Sequence, residues 1–305
     1  MLHLVDFSSC PDSDRNGSYA GNAGSKRGIV YDGRKWMVKY PKTTRMMRGN
    51  KLPSYTSSPL SEYLGSQVYS LLGIDTHQTV LGVDRGKLVV ACLDFRPDDG
   101  ILKEFRALKN AMTPELNDRF DLEIAESATG DRVSIEETLF HLRHNPILQI
   151  PGIRERFCDM IVTDAIIDNN DRNNGNWGIL TVKGKNTLAP VFDNGNAFAS
   201  KVDDEHLDTT PAVIVSKWAG GRSIYERNGH QLSNKNLFAA PIPGLDAAAQ
   251  RVVSAYHAAR TAIENLLMSL PADHEGIPVC SQLRKEAYLA GMDARVRWLA
   301  EDFEL

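Results

Sequence analysis

Asp171, Asn176 and Asp193 are the residues whose types and spacing suggest chemistry. The stretch "IDNNDRNNGNWG" from Ile167 to Gly178 sets an aspartate and an asparagine five residues apart, and "PVFDNG" supplies another carboxylate after a short apolar run. Phosphoryl transfer uses this arrangement. One aspartate accepts or orients the proton of the attacking hydroxyl, an asparagine five residues on binds one Mg²⁺, and an aspartate on the next hairpin holds the metal that bridges the phosphates of ATP. Carboxylate and amide oxygens suit Mg²⁺, a hard ion that keeps several waters. The alternative is a plain turn, since Asn and Gly clusters ordinarily make turns and a D-x-x-x-x-N spacing also arises by chance. Position argues for chemistry: the stretch follows a buried helix expected over Ile153 to Ile167 and precedes a hairpin ending in Asp-Asn-Gly.

The first third of the chain offers the other parts of such a site. Lys39 in "WMVKYP" lies mid-strand between apolar neighbours, where an unpaired ammonium is costly, so it is expected to face a cleft and a phosphate or carboxylate. An exposed edge lysine is the competing reading. Glu62 lies on a helix twenty-three residues further on, where an ion pair with Lys39 would position the α- and β-phosphates; a solvated surface glutamate fits the sequence nearly as well. Upstream, "RNGSYAGNAGSKRG" places Gly17, Gly21, Gly24 and Gly28 ahead of a strand, where backbone amides approach phosphates closely.

The elements that must position these residues form two textures. From Ile29 to Phe95 the pattern alternates as in strands, with hairpin turns at Asp32-Gly33 and Asp84 to Gly86. Between them, Ser58-Pro59 and "LSEYLGSQVYSLLG" read as one helix with Gly73 as its stop. After Phe95 the chain reads as mostly helical: Ser134 and Glu137 form a capping box, and amphipathic segments run over about Leu245 to Leu270 and Gln282 to Phe303. This predicts an α+β, bilobal, protein-kinase-like fold with a small strand-rich N-lobe (1–95) and a larger, mainly helical C-lobe (96–305). The cleft between them is the ligand site.

Composition narrows the function classes. With 305 residues, 42% hydrophobic and 24% charged, the chain can bury a large core. A net charge of -4 argues against direct nucleic-acid binding as the main role, although Lys39 to Lys51 is a basic strip without acids. Cys10, Cys92, Cys158 and Cys280 are widely spaced, which favours free thiols in a reducing compartment. Neither a signal peptide nor a membrane-length apolar run is present, so the cytoplasm is the expected compartment, with delivery into a host cell left open.

The ordered set "SYAGNAGSK", "WMVKYP", "SEYLGSQVYSLLG", "TVLGVDRGKLVVACLDF", "DNNDRNNGNWG" and "PVFDNG" resembles the HipA-like serine/threonine kinases, and within them the compact CtkA type. The resemblance covers roughly Ser18 to Gly195. It implies an ATP- and Mg²⁺-dependent enzyme that phosphorylates serine or threonine on a protein substrate and autophosphorylates its glycine-rich loop, at Ser18 or the nearby Ser25. It matches Asp171 to the catalytic aspartate, Asn176 and Asp193 to the metal ligands and Lys39 to the nucleotide lysine. By the same match, backbone groups of Ala91, Cys92 and Leu93 hold the adenine at the hinge; independently, the charges of Lys26 and Arg27 suit them to pair with a loop phosphoserine. An antitoxin-like regulator is a further partner the family suggests. Three features depart from the pattern: Asn173 stands where near relatives carry histidine, the loop has an extra residue before Lys26, and the additional N-terminal subdomain of full-length HipA proteins is not matched. A small-molecule or lipid kinase with the same core and a catalytically silent nucleotide-binding module are the rival readings.

Overall fold

The computed structural model describes residues 2–17, 19, 25–45, 47 and 52–305. Strands β1 (Val5–Asp6), β2 (Lys26–Tyr31), β3 (Arg34–Lys39), β4 (Thr79–Asp84) and β5 (Lys87–Leu93) form a five-stranded sheet in the order β1-β4-β5-β3-β2. Both expected hairpins are present. Their turns have positive φ at both central residues, 48° and 67° at Asp32 and Gly33 and 52° and 69° at Arg85 and Gly86. That left-handed pair matches the twist of the flanking strands, which explains a glycine in each turn. Register sets Lys26 opposite Lys39 on adjacent strands, so two cations lie side by side at one end of the sheet.

Helix α1 (Ser58–Leu71) packs on β4 and β5 through buried Leu60, Leu64 and Val68. It also approaches the segment around Asn194 closely. A Cβ on Gly65 would lie 2.6 Å from the Asn194 Cβ, so only glycine at that position allows the contact. Thus the helix bearing Glu62 is fitted to the segment bearing Asp193.

The remainder is mainly helical. Its main elements, in chain order, are β6 (Gly100–Glu104), α2 (Phe105–Phe120), β7 (Val133–Ser134), α3 (Ile135–His144), α4 (Ile153–Ile167), β8 (Gly178–Val182), β9 (Lys185–Leu188), α5 (Pro211–Gly220), β10 (Arg222–Arg227), β11 (His230–Ser233), α6 (Asn234–Phe238), α7 (Leu245–Ser269), the short hairpin β12 (Asp273–His274) and β13 (Ile277–Pro278), and α8 (Gln282–Asp302). The capping box forms, with Ser134 Oγ accepting from the Glu137 amide at 3.3 Å. Helix α4 spans the predicted residues and packs against α7 and α8. The hairpin β8-β9 stands where one was expected before Asp-Asn-Gly, whereas β6 and β7, which extend the small sheets β6-β8-β9 and β11-β10-β7, were not apparent because they are short and their partners lie far away in the chain. One continuous apolar core runs from α1 through α4 to α8, so the sheet and the helices share it. Among the described residues no helix is long and apolar enough to cross a membrane, and all four cysteines are free.

Candidate active site

Lys39, at the end of β3, reaches two carboxylates. Its Nζ donates to Glu62 Oε2 at 2.9 Å and to Asp193 Oδ1 at 3.0 Å. Glu62 is 1% exposed, which rules out the solvated-surface reading, whereas Asp193 is deep in the cleft yet 45% exposed to it. Burial pushes the Glu62 carboxyl upward, but Lys39 and His77 outweigh it and hold the group well below the usual carboxylate range. Asp193 is likewise lowered by Lys39, against the opposing effect of burial. For Lys39 burial works against charge, and the two acids win, keeping it firmly ammonium. Lys26 lines the same space; burial and then Lys39 push its pKa down. Asp193 has φ of 63°, a left-handed conformation uncommon for a non-glycine residue and one that recurs at functional sites.

A closed ring of contacts ties these groups to the helical half. Glu62 Oε1 lies 2.9 Å from His77 Nε2, close enough for an ion pair but not aligned as a hydrogen bond. The same nitrogen is 3.1 Å from Ser66 Oγ, which accepts from Asn194 Nδ2 at 3.1 Å. Asn194 follows Asp193, and the ring closes through Lys39.

The loop after α4 is held by Arg172, which is 1% exposed and has an acceptor for every one of its N–H groups. It donates to both Asp164 oxygens (2.8 and 3.0 Å), to Asn194 Oδ1 (2.6 Å), and to the carbonyls of Asn176 (2.8 Å) and Phe192 (2.5 Å). One side chain therefore fixes the backbone beside Asn176 and beside Asp193 at once. Asn176 Nδ2 donates to the Asp171 carbonyl at 2.6 Å, which leaves its Oδ1 for another partner. Asn173, at the departure from the family pattern, donates through Nδ2 to Asp171 Oδ1 at 3.1 Å. A neutral amide thus orients the carboxylate where a histidine is the family residue. Trp177 stacks on Phe105 at 4.3 Å and anchors the loop's far end.

These pieces line two adjoining cavities. One, of about 280 Å³, has Met37, Cys92, Leu93, Phe95 and Phe192 as apolar walls and Lys39, Asn176 and Asp193 at one end. The other, of about 430 Å³, holds Asp171, Asp193, Lys26, Lys39 and Ser25. The structure therefore gathers Lys39, Glu62, Asp171, Asn176, Asp193 and Ser25 around one cleft.

Two expectations change. Ala91 is fully buried, and Ala91 and Cys92 pair with both β4 and β3, so their backbone is taken up by the sheet; at Leu93 the amide is used as well, donating to the Gln78 carbonyl at 2.9 Å. Cys92 and Leu93 do line the cleft, and the Asp94 amide still donates to the Lys35 carbonyl of β3 at 3.0 Å, while the Asp94 carboxylate is held by Arg15, Arg96 and the Tyr19 hydroxyl. Arg27 turns away from the cleft to Asp12 and Asp84 and is not placed to meet a loop phosphate. Gly17 lies in a turn with φ of 84°; Ser18, Gly21 and Gly24 lie outside the described residues.

His77, Ser66, Asn194 and Asp164 were not singled out by the sequence. Lys26 was read only as a partner for a loop phosphate, and its place beside Lys39 in the cleft comes from the strand register. The others matter through partners that only the fold brings near.

No protein-family model matches the chain. The chain is 31% identical over 205 residues to the serine/threonine-protein kinase CtkA of Helicobacter pylori; the match spans 67% of this chain and 58% of that protein's length. The crystal structure of a Helicobacter pylori proinflammatory kinase, CtkA, superposes with a TM-score of 0.81 over 99% of this chain and 96% of that one, at 23% identity. This chain has the CtkA fold. The α+β architecture and the resemblance drawn from the ordered motifs are both borne out. HipA of Shewanella oneidensis MR-1, in its complex with HipB and operator DNA, aligns over 97% of this chain and 68% of that one at 13% identity, with a TM-score of 0.47.

Proposed function

We propose that this chain is a serine/threonine protein kinase that binds ATP with Mg²⁺ in the cleft between an N-lobe (1–95) and a C-lobe (96–305). The observation that carries the proposal is Lys39 held between Glu62 and Asp193 beside the Asp171–Asn176 loop, in a chain similar in sequence and fold to CtkA. The donor set fits the metal: Asp193 offers an exposed carboxylate and Asn176 a free amide oxygen, both hard ligands. ATP would supply the phosphoryl group, with the metal neutralising charge on its phosphates.

The protein's own residues do the rest by positioning and electrostatics. Lys39 exchanges Asp193 for phosphate oxygens while Glu62, fixed by His77, keeps it in place. Asp171, oriented by Asn173, accepts the proton of an incoming serine or threonine hydroxyl. Arg172 holds the Asn176 and Asp193 backbones at a constant separation, which lowers the cost of ordering the site on binding. Apolar walls from Met37, Leu93 and Phe192 suit a purine, and the backbone from the Leu93 carbonyl into the connection at Phe95 borders the same cavity for its polar edge.

Self-phosphorylation in the segment Ser18 to Ser25 belongs to the same proposal. Ser25 already lines the cavity that holds Asp171. A phosphate there adds close to two negative charges beside the place of the ATP phosphates and opposes nucleotide binding. Mass spectrometry of the purified protein before and after Mg-ATP, alone and with a cell lysate, tests the assignment. Phosphate on Ser18 or Ser25 and on lysate serines or threonines is expected; unchanged masses in both samples would rule it out.

A further inference from the structure

Glu62, His77 and Cys92 each present one ligand atom, and these atoms lie within 4.8 Å of one another in a fully buried cluster. We propose that the three side chains form a site for zinc or another thiol-seeking divalent cation at the back of the cleft. The site rests on the position of three side chains, and it stands whether or not the chain transfers phosphate.

The donor atoms are suited and available. Lys39 takes only Oε2 of Glu62; Oε1 is buried, accepts no aligned hydrogen bond and lies 2.9 Å from His77 Nε2. Without an ion, His77 Nε2 faces the carboxylate as a donor; an ion requires the imidazole proton on Nδ1 instead, and both atoms then present lone pairs to one point. Cys92 adds a sulfur from β5. Tetrahedral zinc with bonds of about 2.0–2.3 Å holds its donors roughly 3.3–3.6 Å apart, so side-chain shifts of about an ångström close the cluster. His77 and Cys92 line the 280 Å³ cavity, which gives an ion a way in and leaves a fourth position for water. Three protein ligands with one open position is a familiar zinc arrangement, and a nitrogen–sulfur–oxygen set discriminates against Mg²⁺.

Two local forces set the terms of binding. Burial pushes the Cys92 thiol up, so the ion must displace its proton, which leaves to solvent as the zinc–sulfur bond forms. The Lys39 ammonium holds the other oxygen of Glu62, so an ion and Lys39 compete for one carboxylate. A bound ion therefore loosens the contact that positions Lys39.

Cobalt(II) is the probe, added to the full chain after removal of metals with a chelator. One equivalent should bring a thiolate-to-cobalt charge-transfer band in the near ultraviolet and visible bands of tetrahedral intensity, both displaced by Zn²⁺ and not by Mg²⁺. Cys92→Ser should lose the charge-transfer band and weaken zinc binding by more than about tenfold; Cys10→Ser should keep both. His77→Gln, as a second variant, should weaken binding while retaining the thiolate band. Absence of a thiolate band in the wild-type chain, its survival in Cys92→Ser, or its displacement by Mg²⁺ would overturn the proposal.

Discussion

Lys39 and Arg172 are both cations that join distant segments of the cleft, and they do so in opposite ways. Lys39 is 15% exposed and bound to carboxylates alone, one of which faces open space. Arg172 is buried, fully hydrogen-bonded, and tied to backbone carbonyls as well as to Asp164 and Asn194. An ammonium ringed by charges can trade one partner for a phosphate at little cost. A guanidinium with every donor used can trade none. The first cation is therefore set up for changing partners, and the second for preventing movement.

The largest effect expected from this contrast is on folding. Arg172→Met leaves Asp164 buried without its main partner, and breaking a buried pair costs roughly 3–5 kcal/mol. Urea unfolding should show that loss. A variant as stable as the wild type would mean that Arg172 is not the brace described.

On the exchangeable side, stability should hardly change and ligand binding should. Asp193→Ala is expected to abolish the Mg²⁺-dependent tightening of ATP, and Asn176→Ala to weaken it less, since one offers a charged ligand and the other a neutral one. Calorimetry with and without Mg²⁺ measures both. Equal Mg-ATP affinity in the wild type and Asp193→Ala would place the metal elsewhere.

Acid should separate the two regions more gently. Glu62 and Asp193 are held below their ordinary values of 4.5 and 3.8, so their pairing is fully present above that range and is lost only as pH falls below it. In the helical half, His141 is buried with neither ring nitrogen hydrogen-bonded, and burial, then Lys109, push its pKa from 6.5 down to about 4. The unfolded chain binds that proton more readily, so stability falls as pH drops through 6.5 and the loss levels off near 4. The slope of Tm against pH between those values should flatten in His141→Leu. An unchanged slope would assign the acid sensitivity to other groups.

What was legible in the sequence follows the same division. Asp171, Asn176 and Asp193 could be read because their spacing lies within short loops, and Lys39 because a cation stood in an apolar strand. Helix α4 was legible to the residue from its apolar run and the polar stretch that ends it. The partners of Arg172 could not be read, since Asp164, Phe192 and Asn194 meet it only once α4, the loop and the β9 exit are packed. His77 was silent for a related reason: its role comes from Glu62 and Ser66 on α1, while it sits ahead of β4 itself. How far the run "VACLDF" stays paired could not be read either, because an apolar run does not reveal where β5 stops pairing.

The central claim is that Asp171 receives the acceptor's proton in a kinase cleft whose nucleotide contacts lie elsewhere. Parallel measurement of phosphoryl transfer and Mg-ATP affinity in the wild type and Asp171→Ala tests it most directly. The account predicts a rate lower by about two to four orders of magnitude with nucleotide affinity largely preserved. Wild-type turnover in Asp171→Ala would contradict it.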